Sequence, residues 1–372
     1  MIKEAGFLAR ADLQTLLDRL HDLGYRVIGP VVDDAAILYR DIDRVEQLPL
    51  GYTDDQAPGS YRLSQVDTPR CFAWADGPHA LKPFLFAPRE TMWQVARDSD
   101  GRLAFSAVDP RPAKALAVVG VRACDLAALA LQDRHFLDHV NDPYYAARRA
   151  GLFLVAVHCA YPADTCFCAS TGDGPRATTG CDLALHELDD GFIVEAASPR
   201  GHAVCDGLSL RAIDDDQRRA ANDALSEAAH RQFRRLPSTD LHNGLLARLD
   251  HPRWEQVASR CLACGSCTSV CPTCFCHAES DAPSLDGNDS EHLREWDSCF
   301  SAGHAQLHGF QVRPEIRQRY RQWLTHKLGS WHEQYGRSGC VGCGRCITWC
   351  PVGIDITAEA NAICADTIEE AP

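Results

Sequence analysis

The stretch CLACGSCTSVCPTCFC, residues 261–276, and its echo CVGCGRCITWCP, residues 340–351, decide how this chain is read. Cys261, Cys264, Cys267 and Cys271 stand as C-x-x-C-x-x-C-x-x-x-C before Pro272. Cys340, Cys343, Cys346 and Cys350 repeat that spacing before Pro351. Three thiolates two residues apart let a tight loop wrap three corners of an iron–sulfur cube, with loop N–H groups aimed at the sulfurs. The fourth cysteine points away and, in proteins with two such runs, ligates the other cube. The expected sets are therefore Cys261, Cys264, Cys267 with Cys350, and Cys340, Cys343, Cys346 with Cys271, holding two [4Fe–4S] clusters. Zinc is the competing reading, because C-x-x-C pairs bind it too. A tetrahedral ion gives little reason for a threefold two-residue spacing closed by Cys-Pro and repeated twice.

Composition sets the frame around these motifs. The 372 residues suffice for two or three domains with real cores. With 45% hydrophobic and 24% charged residues, the chain is neither disordered nor low-complexity. Its 19 cysteines are too unevenly placed for a disulfide-stapled secreted module. The N-terminus, MIKEAGFLARAD, lacks the apolar stretch of a secretory signal, and no apolar run is long enough to span a bilayer. A cytoplasmic protein without a membrane span is expected, in which clustered thiols bind metal or do chemistry. A formal charge of −14 without a basic tail argues against nucleic acid.

The expected fold class is α+β, with an N-terminal α/β-type domain over residues 1–240 and an α-helical, ferredoxin-like dicluster domain over 241–372. Leucines at 13, 16, 17, 20 and 23 mark one buried helical face that Gly24 stops. RVIGPVV and AAILYR read as short strands. ALAVVGVRACDLAALAL reads as strand, turn and helix, the strand ending at Gly120 and the helix starting beyond Asp125. GLFLVAVHCAYPADTCFC repeats the plan with a strand from Leu152 to Val157, so the two suggest parallel strands. Asp214 to Leu236, acidic first and basic last, predicts a long helix. The region between the cysteine runs reads as helices and loops, including Glu315 to Leu328. Its basic residues Arg313, Arg317, Arg319, Arg321 and Lys327 would offset cluster charge, dock an acidic partner, or simply decorate a solvated face.

Four more thiols fall at the ends of the proposed parallel strands, where open α/β sheets place ligands: Cys124, Cys159, Cys166 and Cys168. They match the needs of a third metal centre, cluster before zinc, against the alternative of ordinary buried cysteines. Thr165-Cys166-Phe167-Cys168 recurs as Thr273-Cys274-Phe275-Cys276, which with Cys299 leaves three thiols beside the first run. Their role stays open among a metal centre, shielding and thiol chemistry. Cys71, Cys181, Cys205 and Cys364 read as core. There is no G-x-G-x-x-G after a strand, no G-x-x-x-x-G-K-[ST] and no H-E-x-x-H. Nicotinamide, flavin and ATP sites of the usual kinds are thus not expected, and electrons must enter and leave through other subunits.

GVRACD at 120–125, DPYYAARR at 142–149, the CFC loop at 166–168, both cysteine runs and REWDSC at 294–299 occur in one order. In this the chain resembles, from about residue 80 onward, the β subunit of cytosolic NiFe hydrogenases (sulfhydrogenases). One of the subunits of anaerobic sulfite reductase has a similar plan. The resemblance implies an iron–sulfur relay between a flavoprotein subunit using NAD(P)H and a catalytic partner, with NiFe hydrogenase first and sulfite reductase as the alternative. It implies an electron-transfer component of an oxidoreductase complex, to which no catalytic residue is assigned. The rival from another class is a stand-alone sulfur or disulfide reductase working through the extra cysteines. A sensor or assembly module ranks third.

Overall fold

A computed structural model describes residues 3–237 and 240–365. Strands β1 (Lys3–Ala9), β2 (Arg26–Asp33) and β3 (Ala36–Asp41) open the chain. A hairpin of β4 (Tyr52–Ala57) and β5 (Ser60–Gln65) follows, then β6 (Arg89–Arg97) and β7 (Leu103–Ala107). The strands β8 (Leu116–Val121), β9 (Phe153–Val157), β10 (Leu183–Glu187) and β11 (Gly191–Ala196) come next. After the first cysteine run lie β12 (His277–Pro283) and β13 (Asp289–Trp296).

Seven strands form one sheet in the order β1-β11-β10-β9-β8-β2-β3. The inner pairs β2/β8, β8/β9 and β9/β10 are parallel. Every residue of β8, β9 and β10 is buried, as expected for a parallel sheet covered on both faces. Alternation sorts their side chains: Val119 and Val155 join the core under the helix Leu13–Asp22, through Leu13, Leu16, Leu17 and Leu20. Val118 and Leu154 join Leu126 and Leu129 of the helix Ala123–Asp133 on the other face.

The helix after β8 starts at Ala123, earlier than its sequence suggests, because a single residue, Arg122, makes the turn. Gly120, at φ +93°, bends the strand just before it. The acidic-to-basic helix runs only from Asp215 to His230. Its start is as expected, with the Asp214 carboxylate accepting from Gln217 N. Its arginine end lies beyond the helix, where Arg234 pairs with Asp355 at 2.7 Å.

The region between the cysteine runs is not all helix and loop. The hairpin β12–β13 extends β6–β7 into a four-stranded antiparallel sheet, order β12-β13-β6-β7. Its sequence, HAESDAP and DSEHLREW, is too polar to announce strands. Pairing with a strand almost two hundred positions earlier stabilises it, along with the stack of Trp93 on His292 at 4.7 Å. The sheet therefore joins residues from both sides of position 240. Among the described residues, no helix is long and apolar enough to cross a membrane.

Candidate metal centre

The two cysteine runs fold alike. In each, the residue two after the first cysteine has positive φ, Ala263 at +51° and Gly342 at +65°, and so does the residue four after, Gly265 at +75° and Gly344 at +76°. A single-turn helix follows in each, Ser266–Ser269 and Arg345–Thr348. This curl turns backbone N–H groups toward sulfur: Ala263 N lies 3.4 Å from Cys261 Sγ, and Gly342 N and Arg345 N serve Cys340 and Cys343 in the same way.

Two adjacent cavities collect the thiols. One is lined by Cys261, Cys264, Cys267 and Cys350. The other is lined by Cys271, Cys340, Cys343 and Cys346. Cys346, Trp323 and Ile356 border both, so the cavities share a wall. The fourth cysteine of each run thus sits with the other run's triplet. Burial pushes Cys340 up to about 11 and Cys343 up to about 12. Burial, then the neighbouring thiolates, pushes Cys267 and Cys346 well above the usual thiol range. Thiolates that oppose one another in this way need a cationic centre to stay ionised.

The spacing suits a cluster better than zinc. Zinc–sulfur bonds of about 2.3 Å in a tetrahedron would draw sulfurs to roughly 3.8 Å from one another. Among the described residues, the metal-capable groups whose ligand atoms all lie within 4.8 Å of one another are Asp76, Cys124 and Asp125; no three sulfurs of the cysteine runs come that close. Four thiols around a cavity suit a cube better than one ion.

Residues 260–354 match the family model for a 4Fe-4S dicluster domain. This stretch of the chain is a 4Fe-4S dicluster domain. The chain is also 29% identical over 349 residues to sulfhydrogenase 2 subunit beta of Pyrococcus furiosus, covering 91% of this chain and 92% of that protein. The resemblance read from the motifs is thereby shown, and it reaches further toward the N-terminus than residue 80. No solved structure matches the chain.

The dicluster domain seats its second run on the α/β sheet at the carboxyl ends of β8 and β9. Phe167 N donates to Gly342 O at 2.8 Å, and the Thr165 and Thr348 hydroxyls lie 2.8 Å apart. A Cβ on Gly342 would fall 2.5 Å from Cys168 N, so only glycine allows this approach. Cys124, Cys159, Cys166 and Cys168 meet here. The Cys168 thiol acts on Cys124, and Cys159 and Cys168 act on Cys166, whose Sγ is 3.7 Å from Cys343 O. Cys159, Cys166 and Cys168 thus act on one another, and Cys124 is tied to the group through Cys168.

The same junction holds a feature that the sequence did not reveal. Arg345, 1% exposed, donates to both oxygens of Asp125 at 2.8 Å and to Asp76 at 2.6 Å. Burial opposes ionisation of Asp125, but the two Arg345 bonds outweigh it and hold it below the usual carboxylate range. Asp76, held by one bond, is pushed well above that range by burial and by Asp125. The only hint in the sequence is that Asp125 follows Cys124 and Arg345 precedes Cys346.

Most of the basic residues between the runs prove structural. Arg319 donates to Arg313 O, Pro314 O and Phe300 O, Arg321 to Leu249 O, and Arg317 pairs with Glu315 and Glu255. Lys327 alone turns inward, onto the second cavity. Burial alone would push its ammonium down, yet Cys271, Cys274 and Cys340 hold it above the usual lysine range.

Of the extra thiols, Cys274 lies against Cys271. Cys276 is hydrogen-bonded by the Cys299 thiol and by His304, whose Nδ1 is 2.7 Å from Asp297. The Cys299 bond, then His304, draws Cys276 down to about 4. Cys276 and Cys274 line a cavity of about 400 Å³ with Cys264. Cys71, Cys181 and Cys205 are core residues that burial pushes up to about 12, 12 and 11, and Cys364 packs at the edge of a third core. At pH 6, above the pKa of Cys276 and far below the others, iodoacetamide should alkylate Cys276 before Cys71, Cys181 or Cys205. Mass-spectrometric mapping checks the order, and equal labelling would refute it.

Proposed function

We propose that this chain is an iron–sulfur electron-transfer subunit of a hydrogenase-type complex. Its dicluster domain, within residues 241–372, holds two [4Fe–4S] clusters on the crossed sets Cys261, Cys264, Cys267, Cys350 and Cys340, Cys343, Cys346, Cys271. The observation that carries this reading is the pair of four-thiol cavities with a common wall. When bound, such clusters take up and release single electrons without bond chemistry. Cys124, Cys159, Cys166 and Cys168 hold a third metal centre beside the second cavity, which makes the protein a line of three stations. One end of that line is at the surface, where Cys264 is exposed and Leu262 is 61% exposed. The other end lies under the sheet's carboxyl edge.

The similarity to a sulfhydrogenase beta subunit supports other subunits as partners, a hydrogenase catalytic subunit and an NAD(P)H-linked flavoprotein, ahead of sulfite reductase. The chain's own part is to hold, insulate and space the stations: Trp323 and Ile356 keep water out of the shared wall, and the second run is clamped to the sheet. The test is iron per chain in anaerobically prepared protein. About twelve atoms are expected; about eight would remove the third cluster, and none would remove the whole reading. Purified alone, the relay should accept electrons from a reduced dye and turn over neither hydrogen, sulfite nor polysulfide. Turnover by the isolated chain would favour a reductase at the extra cysteines.

A further inference from the structure

Among the described residues, two lysines are buried without a carboxylate partner. Lys327, 4% exposed, donates from Nζ to Thr273 Oγ1 at 2.8 Å and to Gly339 O at 3.4 Å, over the ring of Trp331 at 5.0 Å. Lys82, 8% exposed, donates to Cys271 O at 3.2 Å and Ser269 O at 3.4 Å, over the ring of Trp296 at 3.8 Å. These oxygens and rings are all neutral, and the charges that face the two ammonium groups come from thiols, Cys271 and Cys274 among them. A buried cation without a counter-ion is costly, so a fold that keeps two must supply negative charge from elsewhere.

Both lysines converge on Cys271. The Thr273 hydroxyl that accepts from Lys327 is 3.2 Å from Cys271 Sγ, and Lys82 holds the Cys271 carbonyl. The arginines next to the two runs are already balanced. Arg345 faces two carboxylates, and Arg260, next to Cys261, pairs with Glu359 at 2.7 Å. The first cavity is walled by Leu262, Phe300, Tyr320, Trp323, Ile354 and Ile356, none of them cationic. The net positive charge therefore lies on one side only.

We infer that Lys327, supported by Lys82, makes the cluster on Cys271, Cys340, Cys343 and Cys346 the easier of the two to reduce. The inference rests on the two-cluster reading above. Reduction adds one negative charge to a cluster, and a fixed ammonium in a low-dielectric wall stabilises that state more than the oxidised one. The apolar, surface-exposed first site gives no such help. An electron entering at Cys264 then runs downhill to the buried second station, and the order of potentials gives the line its direction. Lys327 acts on the cluster as a tuning residue and touches no substrate.

The test is an EPR-monitored redox titration of the full chain, wild type against Lys327→Met and Lys327→Arg, with iron measured on each sample. In Lys327→Met, the midpoint of one of the two dicluster-domain centres should move negative by at least a tenfold change in reduced-to-oxidised ratio, 59 mV for one electron, while that of the other stays in place. Lys327→Arg should restore it. Unmoved midpoints with full iron would overturn the inference and leave the two-cluster reading intact. Wild-type protein without iron would overturn that reading instead. Should Lys327→Met shed its second cluster, Lys82→Met reads the same effect from the other side. A negative shift of that one midpoint is expected there, and no shift would refute the role of these charges.

Discussion

Replacing Arg345 by methionine is expected to cost about 3–5 kcal/mol of stability, the usual penalty for removing one partner of a buried ion pair. The guanidinium lies between Asp76 and Asp125, all three almost fully buried, and joins the dicluster domain to the helix Ala123–Asp133 and to the loop that carries Asp76. Without it, two carboxylates 5% exposed or less at their side chains have no cation to face. The pH dependence distinguishes lost charge pairing from lost packing. In wild type, Asp125 is held low, so its contribution is present above the unfolded carboxylate pKa and disappears as pH falls through the lower folded value. In the variant both acids would be pushed up by burial. The penalty should be largest at neutral pH and shrink as pH falls toward about 4, where unfolded carboxylates protonate. Denaturant unfolding at several pH values measures this, and adding Asp76→Asn with Asp125→Asn should recover part of the loss. A pH-independent deficit would contradict the charge argument.

The second large effect tests the crossing of ligands. Cys271→Ala should remove the cluster held by the second run, leaving that of Cys261, Cys264, Cys267 and Cys350, with a loss of about four irons. Cys350→Ala should do the reverse. The cavities predict this pairing, because Cys271 lines the space of Cys340 and Cys343, while Cys350 lines that of Cys261 and Cys264. The EPR spectrum of reduced Cys271→Ala should match that of Cys343→Ala and differ from that of Cys264→Ala. A match with Cys264→Ala would mean that each run closes its own cluster.

How much of this could be read from the residues follows from the range of the interactions. The paired runs are local, each loop set by spacing and by positive-φ positions at Gly265, Gly342 and Gly344, so the dicluster domain was legible from the sequence alone. The parallel strands were legible too, since β8 and β9 are continuous apolar runs. The hairpin β12–β13 was not, because it owes its stability to β6 and carries no apolar alternation of its own. Nor was Arg345, which reads as a spacer between two cysteines while its partners lie 220 and 269 positions away. Lys327 was visible only as one of five basic residues, and its burial singles it out. The interplay of Cys276 with Cys299 and His304 likewise depends on a fold that brings β12 beside the loop after β13.

The most direct measurement is the pair of visible and EPR spectra of anaerobically prepared chain, before and after reduction. Eight sulfurs holding two cubes predict a brown protein whose colour bleaches on reduction, with EPR signals that include those of two magnetically interacting [4Fe–4S] centres. A colourless, EPR-silent protein carrying zinc in place of iron would contradict it.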